Sequence, residues 1–145
     1  MTLIDTGQHS MTGGRLLQAA PFIGEEDFCF TYGDGVADID INELIKSHLS
    51  DPSALVTVTS VRPPGRFGSL KIKDDLVVSE FLEKPVGDGM RINGGFFVCS
   101  PEVFNYLDGD YCVWEDEPLA TLATEGKLKA FLHDGFWQPM DTLRE

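Results

Sequence analysis

Basic residues are scarce in this sequence: 11 lysines and arginines stand against 24 aspartates and glutamates, a formal net charge of −13. That field repels nucleic-acid backbones and anionic membrane surfaces, and so argues against both as partners. Cysteines number three, an odd count. Cys29 and Cys99 lie inside the apolar runs Phe28-Cys29-Phe30 and Phe96-Phe97-Val98-Cys99, and no disulfide framework is implied. No window reaches the uninterrupted apolar length of a transmembrane helix, and Met1-Thr2-Leu3-Ile4-Asp5 lacks a basic stretch leading into an apolar one, so the expected setting is the cytoplasm. His9, His48 and His133 show no ligand spacing with one another or with the cysteines, and read as structural or surface residues. Internal repeats, low-complexity tracts and linkers are also missing.

What is present is enough apolar sequence for one domain. Of 145 residues, 42% are hydrophobic and 10% aromatic, which supports a sizeable core. Apolar and β-branched runs predict strands over Phe28 to Tyr32, Leu55 to Val61, Ser69 to Ile72, Leu76 to Leu82, Ile92 to Cys99 and Leu128 to Leu132. Helices are predicted between them. Ile41 to Leu49 is the clearest, because Asp40 and Glu43 have capping-box spacing while Ile41, Leu44, Ile45 and His48 share a face. Gly14 to Ala20, Pro101 to Leu107 and Pro118 to Ala123 follow, two of them opening on a proline suited to the first helical position. Alternating strands and helices indicate a layered α/β fold. At the ends, Thr2 to Asp5 reads as the tail of a strand, and Asp141 to Glu145 as the start of a helix.

Two acidic turns far apart in sequence are the best candidates for chemistry: Tyr32-Gly33-Asp34-Gly35 and Trp137-Gln138-Pro139-Met140-Asp141-Thr142. Each follows an apolar run. A carboxylate at a strand end with glycine beside it can meet a hard cation and let phosphates approach the backbone, so Asp34 and Asp141 together suggest one shared metal. The aromatic lead-in to Asp141 predicts a partly buried carboxylate that needs a partner. The ordinary readings are a strand-to-helix turn at Asp34 and a helix N-cap at Asp141, and Asp38 and Asp40 are expected to serve the start of the next helix. Glu83-Lys84-Pro85 closes a strand, placing Lys84 on the side of Asp34 if the strands run parallel, where an ammonium can pair with a phosphate. Ile92-Asn93-Gly94-Gly95 sets an amide and two glycines at the mouth of a strand, as hydroxyl recognition or a β-bulge requires. Pro63-Pro64-Gly65-Arg66-Phe67-Gly68 is a rigid loop fit for a pocket wall. Met11-Thr12-Gly13-Gly14-Arg15 opens a helix whose amides are suited to an anion or a base edge.

Taken in order with Asp5-Thr6-Gly7, these segments resemble the sugar-1-phosphate nucleotidyltransferases across essentially the whole chain, most closely those using CTP and glucose 1-phosphate. The resemblance implies a Rossmann-like mixed sheet, with residues 1–145 as the C-terminal part of a single nucleotidyltransferase domain that is incomplete at its N-terminus. It implies a reaction of CTP with α-D-glucose 1-phosphate giving CDP-glucose and pyrophosphate, a step toward dideoxysugars of surface polysaccharide. Asp34 and Asp141 would hold Mg²⁺, and Lys84 would meet the sugar phosphate. Glu83, Asn93 and Gly68 would face the glucose hydroxyls. Thr12, Gly13 and Gly14 would lie against the nucleoside with Arg15 near them. The family's opening glycine-rich loop, which carries a threonine-arginine pair and then a lysine, has no counterpart near Met1, nor is its helix after Asp141 present. The expectation is therefore that this chain alone is inactive and prone to associate, and that the full-length form is a homo-oligomer.

Two other readings stand beside this one. Gly33-Asp34-Gly35 with Asp38-Ile39-Asp40 is similar to the acidic loop of haloacid-dehalogenase-type phosphatases, although there the Asp-x-Asp motif lies upstream. A non-catalytic sugar-phosphate binding or assembly module is the other.

Overall fold

The computed structural model describes residues 1–63, 69–74, 76–82 and 90–143. Helix α1 (Thr12–Ile23) leads to strands β1 (Phe28–Thr31) and β2 (Gly35–Ala37), then helix α2 (Ile41–Leu49), β3 (Val56–Val61), β4 (Ser69–Ile72), β5 (Val78–Leu82) and β6 (Ile92–Cys99). A 3-10 turn at Pro101–Tyr106 precedes α3 (Glu117–Thr124), β7 (Leu128–Leu132) and β8 (Trp137–Pro139). The main sheet has the order β1-β6-β3-β7, with β3 parallel to β7 and antiparallel to β6, and β1 antiparallel to β6. It is a mixed sheet in an α/β fold, as the sequence suggested.

Alternation along the strands sorts side chains to two faces. Val56, Phe97 and Cys99 point to one face, where they join Leu16, Val103, Trp114 and Leu122 in a buried cluster. Its centre is aromatic: the Trp114 indole meets Phe97 and Phe30 edge to face, with ring centroids 5.8 and 6.0 Å apart, an arrangement that aromatic quadrupoles favour. On the other face α2 lays Leu44 and His48 over β3 and β6. His48, 3% exposed, places Nδ1 2.9 Å from Thr57 Oγ1 and Nε2 3.1 Å from Ser100 Oγ. Both ring nitrogens thus have partners, as a buried imidazole requires. The cap of α2 is half of the expected box. Asp40 Oδ1 accepts from the amides of Asn42 and Glu43, while the Glu43 carboxylate turns to Lys46 instead.

Four expectations change. The β4–β5 pair is a separate antiparallel hairpin, closed by backbone bonds between Lys73 and Val77 and between Leu76 and Lys73, so β5 does not run beside β1. Local closure of two adjacent strands means that the condition of parallel strands set for the Lys84 placement is not met by β5. Residues Thr2 to Asp5 carry no strand; the segment instead turns on itself, with Asp5 Oδ1 accepting from the Gly7 amide. Helix α1 continues through Pro21 to Ile23, because a proline this close to a helix end removes only one interior hydrogen bond. The run after Pro101 is a 3-10 turn rather than an α-helix.

Two outcomes follow. Replacing Trp114, which is fully buried, with alanine is expected to cost about 3–5 kcal/mol in urea unfolding. The second concerns pH. Burial pushes the His48 imidazole below its ordinary pKa of 6.5, against opposing pulls from Asp27 and Asp51. A base whose pKa is lowered on folding stays neutral in the native state while the unfolded chain takes up its proton, so this contribution is intact above the unfolded value and is lost as pH falls through it. The thermal midpoint should therefore decline as pH is lowered from about 7 to about 5.5, and less steeply in His48→Gln; equal slopes would remove His48 as the source.

Candidate active site

The two candidate aspartates come to the same end of a ribbon that is not evident in the sequence. Strand β2 pairs antiparallel with β8 in the register Gly35↔Pro139, Val36↔Gln138 and Ala37↔Trp137. The pairing extends at one end through Met140 N to Asp34 O at 2.8 Å, and at the other through Asp38 N to Phe136 O at 3.2 Å. Asp34 therefore lies opposite Met140, and Asp141 is the next residue at the same end. Both are exposed, so the partly buried place expected for Asp141 is not found: the Trp137 indole takes the inward position, and the chain has turned outward by Met140. Asp141 forms no helix N-cap among the described residues.

Asp34 borders an open cleft of about 460 Å³ together with Thr12, Tyr32, Gly33 and Glu115. Two hydrogen bonds order its wall: Asn93 Nδ2 donates to the Tyr32 hydroxyl at 3.2 Å, and Thr12 Oγ1 donates to Glu115 Oε2 at 2.7 Å. Burial, then the Glu115 carboxylate, push the Tyr32 phenol above its ordinary range, so Tyr32 remains an uncharged hydroxyl here. Glu115 was missed in the sequence, where it sits in the acidic lead-in to α3. The available signal was its neighbour Trp114, whose burial in the core leaves the next side chain to face the cleft.

Asn93 reaches Tyr32 because β6 is irregular. Its register against β3 jumps from Val58↔Phe97 to Ser60↔Asn93, a bulge formed by Gly94 and Gly95. Gly95 has φ +77, and a Cβ there would stand 2.7 Å from Tyr32 Cδ2; one on Gly94 would stand 2.8 Å from Val61 Cγ1. Only glycine fits both positions. The bulge also leaves the Gly94 carbonyl to accept the Trp137 indole N–H at 2.8 Å, which ties the ribbon to the main sheet.

At the start of α1 the glycines serve close packing. A Cβ on Gly14 would lie 2.3 Å from the Asp110 carbonyl oxygen, and one on Gly13 2.8 Å from Cys112 Sγ. The amides of Gly13 and Gly14 donate to the Cys112 carbonyl, at 2.9 and 3.1 Å. Thr12 Oγ1 accepts from the Trp114 amide at 2.9 Å, and Arg15 NH1 donates to Thr6 Oγ1 at 2.5 Å. Gly68, Glu83 and Lys84 lie outside the described residues. Asp38 does not cap α2: its Oδ1 stands 3.0 Å from His133 Nε2.

Among the described residues no group of three or more His, Cys, Asp or Glu side chains is placed to hold a metal ion. The pair Asp34 and Asp141 nevertheless suits Mg²⁺, which takes one or two carboxylates and fills its other positions with water and substrate phosphates. No helix among the described residues is long and apolar enough to cross a membrane.

Known proteins resemble the chain in sequence and in fold. The chain is 55% identical over its whole length to a Salmonella typhimurium protein named glucose-1-phosphate cytidylyltransferase, of which it covers 56%. It is 30% identical over 91% of its length to an Aspergillus oryzae protein named mannose-1-phosphate guanyltransferase, covering 39% of that protein. The chain thus spans about half the length, or less, of these curated relatives. The fold matches the crystal structure of HddC from Yersinia pseudotuberculosis with a TM-score of 0.69 at 24% identity, over 95% of this chain and 60% of that one. The family profile described as "Nucleotidyl transferase" matches residues 6–136, from the loop before α1 to the foot of β8, and the chain accordingly belongs to the nucleotidyl transferase family.

Proposed function

We propose that this chain is part of a glucose-1-phosphate cytidylyltransferase, which converts CTP and α-D-glucose 1-phosphate into CDP-glucose and pyrophosphate. The observation that carries the reading is the β2–β8 register, which brings Asp34 and Asp141 to one end of one ribbon beside the cleft. The 55% identity to a protein of that name supports the choice of substrates.

In the proposed reaction a phosphate oxygen of the sugar phosphate bonds to the α-phosphorus of CTP. The bond from that phosphorus to the bridging oxygen breaks, and its electron pair leaves with pyrophosphate, so no proton has to move. Positioning and charge neutralisation then supply the rate. Asp34 and Asp141 hold Mg²⁺, which when bound neutralises phosphate oxygens. Thr12, Gly13 and Gly14 lie against the nucleoside with Arg15 near them, Asn93 faces sugar hydroxyls together with Glu83 and Gly68, and Lys84 meets the sugar phosphate. The setting is cytoplasmic, the product feeds dideoxysugars of surface polysaccharide such as O-antigen, and the longer protein is a homo-oligomer.

The phosphatase reading loses its acidic pair, since Asp40 caps α2 and Asp38 faces His133. A binding module without turnover is separated by assay. Pyrophosphate release from CTP and glucose 1-phosphate with Mg²⁺ is expected from a version extended to the relatives' length, and not from the 145-residue chain alone. Asp34→Ala and Asp141→Ala in the extended form should each lower kcat/KM at least about 100-fold. A folded, inactive extended form that still binds glucose 1-phosphate would leave the binding module standing and the transferase reading refuted.

A further inference from the structure

The aspartate ribbon has two ends, and only one of them is used by the proposed chemistry. The other end is closed by a set of contacts that converge on His133. Its Nε2 stands 3.0 Å from Asp38 Oδ1 and 3.2 Å from the Phe136 carbonyl oxygen. Phe136 O also accepts the Asp38 amide, the last rung of the ribbon. One imidazole N–H thus faces an acceptor on each strand at the foot of β2–β8.

The histidine is itself anchored. Its amide donates to the Ser60 carbonyl at 3.0 Å, beyond the parallel pairing of β3 with β7. Arg91 NH1 donates to the carbonyls of Ser60 and His133, at 2.8 and 3.3 Å, and its NH2 pairs with Asp134. The His133 side chain is only 11% exposed. There is no room to slide: a Cβ on Gly135 would stand 2.4 Å from Asp38 Oδ1 and 2.7 Å from His133 Cε1. The foot is thereby locked to the main sheet.

From Asp38 to Asp34 the ribbon runs about 13 Å at the rise of an extended strand. A small tilt at the foot becomes a displacement at the tip, where two carboxylates on different strands must converge on one cation. Groups that orient metal ligands without touching the metal commonly control affinity. We infer that His133, through Asp38 and the Phe136 carbonyl, is a positioning residue that sets the relative placement of Asp34 and Asp141 for a divalent cation. This rests on the metal role proposed for those two aspartates.

Mn²⁺ titration of the chain, read from the EPR signal of the free ion, tests the inference without turnover. Wild type should show a site that Asp34→Ala and Asp141→Ala each abolish; if it does not, the metal role itself fails and the inference falls with it. With that site present, His133→Ala is expected to bind Mn²⁺ about tenfold more weakly, and His133→Gln, whose amide N–H can reach the same two acceptors, should recover most of the loss. Asp38→Ala approaches the clamp from the other side and is expected to match His133→Ala, while the double variant should be no weaker than either. Wild-type affinity in both alanine variants would overturn the inference, as would a glutamine variant as weak as the alanine one. Should His133→Ala not fold, Asp38→Ala and His133→Gln decide by the same criteria.

Discussion

The arrangement depends on the ties between the ribbon and the main sheet, one of which is a hydrogen bond made possible by an irregularity. Where β6 bulges at Gly94–Gly95, the Gly94 carbonyl is available to the Trp137 indole, and that 2.8 Å contact joins the two-stranded ribbon to the four-stranded sheet. A regular strand would direct this carbonyl into the ladder with its neighbour. The same irregularity lets Asn93 Oδ1 accept the Gly95 amide while its Nδ2 reaches Tyr32. One bulge therefore orders the cleft wall and docks the strand that leads to Asp141. The two glycines are needed because their missing Cβ atoms would overlap Val61 and Tyr32, so the bulge is fixed by steric fit rather than by backbone preference alone.

Much of this was legible in local sequence wherever local physics decides the outcome. Ile92 to Cys99 and Leu128 to Leu132 form strands with the limits that their apolar runs indicate, and α2 begins where Asp40 can cap it. What could not be read is what depends on partners distant in sequence. Strands β2 and β8 have three residues each, too short to carry a period, and exist because residues about a hundred positions apart pair. Asp38 looked like part of a helix start because Asp40 is two residues away, but its partner lies on the far side of β7. The burial expected for Asp141 failed for a related reason: an aromatic lead-in indicates that something is buried, and here it is Trp137 itself.

The charge of the molecule is also organised. Asp34 and Glu115 share the cleft, and Arg15, three residues after Thr12, is turned toward Thr6 in the loop before α1. A negatively charged ligand approaching this wall meets carboxylates first. The hydroxyls and the amide of Thr12, Tyr32 and Asn93 can orient a ligand, but they carry no charge with which to offset repulsion. With net charge −13 over the chain, any attraction for an anion has to come from a bound cation or from cationic side chains outside the described residues. The proposed division of labour between a metal pair and a lysine follows from this field as much as from resemblance.

The start of α1 shows the same economy of donors. A helix N-terminus is a common anion site because its first amides lack partners, and the sequence Thr12-Gly13-Gly14 suggests one. In the folded chain the Gly13 and Gly14 amides already have an acceptor in the Cys112 carbonyl, and the glycines bring the helix against residues 110–112 closely enough to make those bonds. The segment 110–115 is thereby held on α1 along its length, from the Met11 amide on the Asp110 carbonyl to the Thr12 hydroxyl on Glu115. A nucleoside lying on this surface would be recognised by shape and by the Thr12–Glu115 pair rather than by open backbone donors.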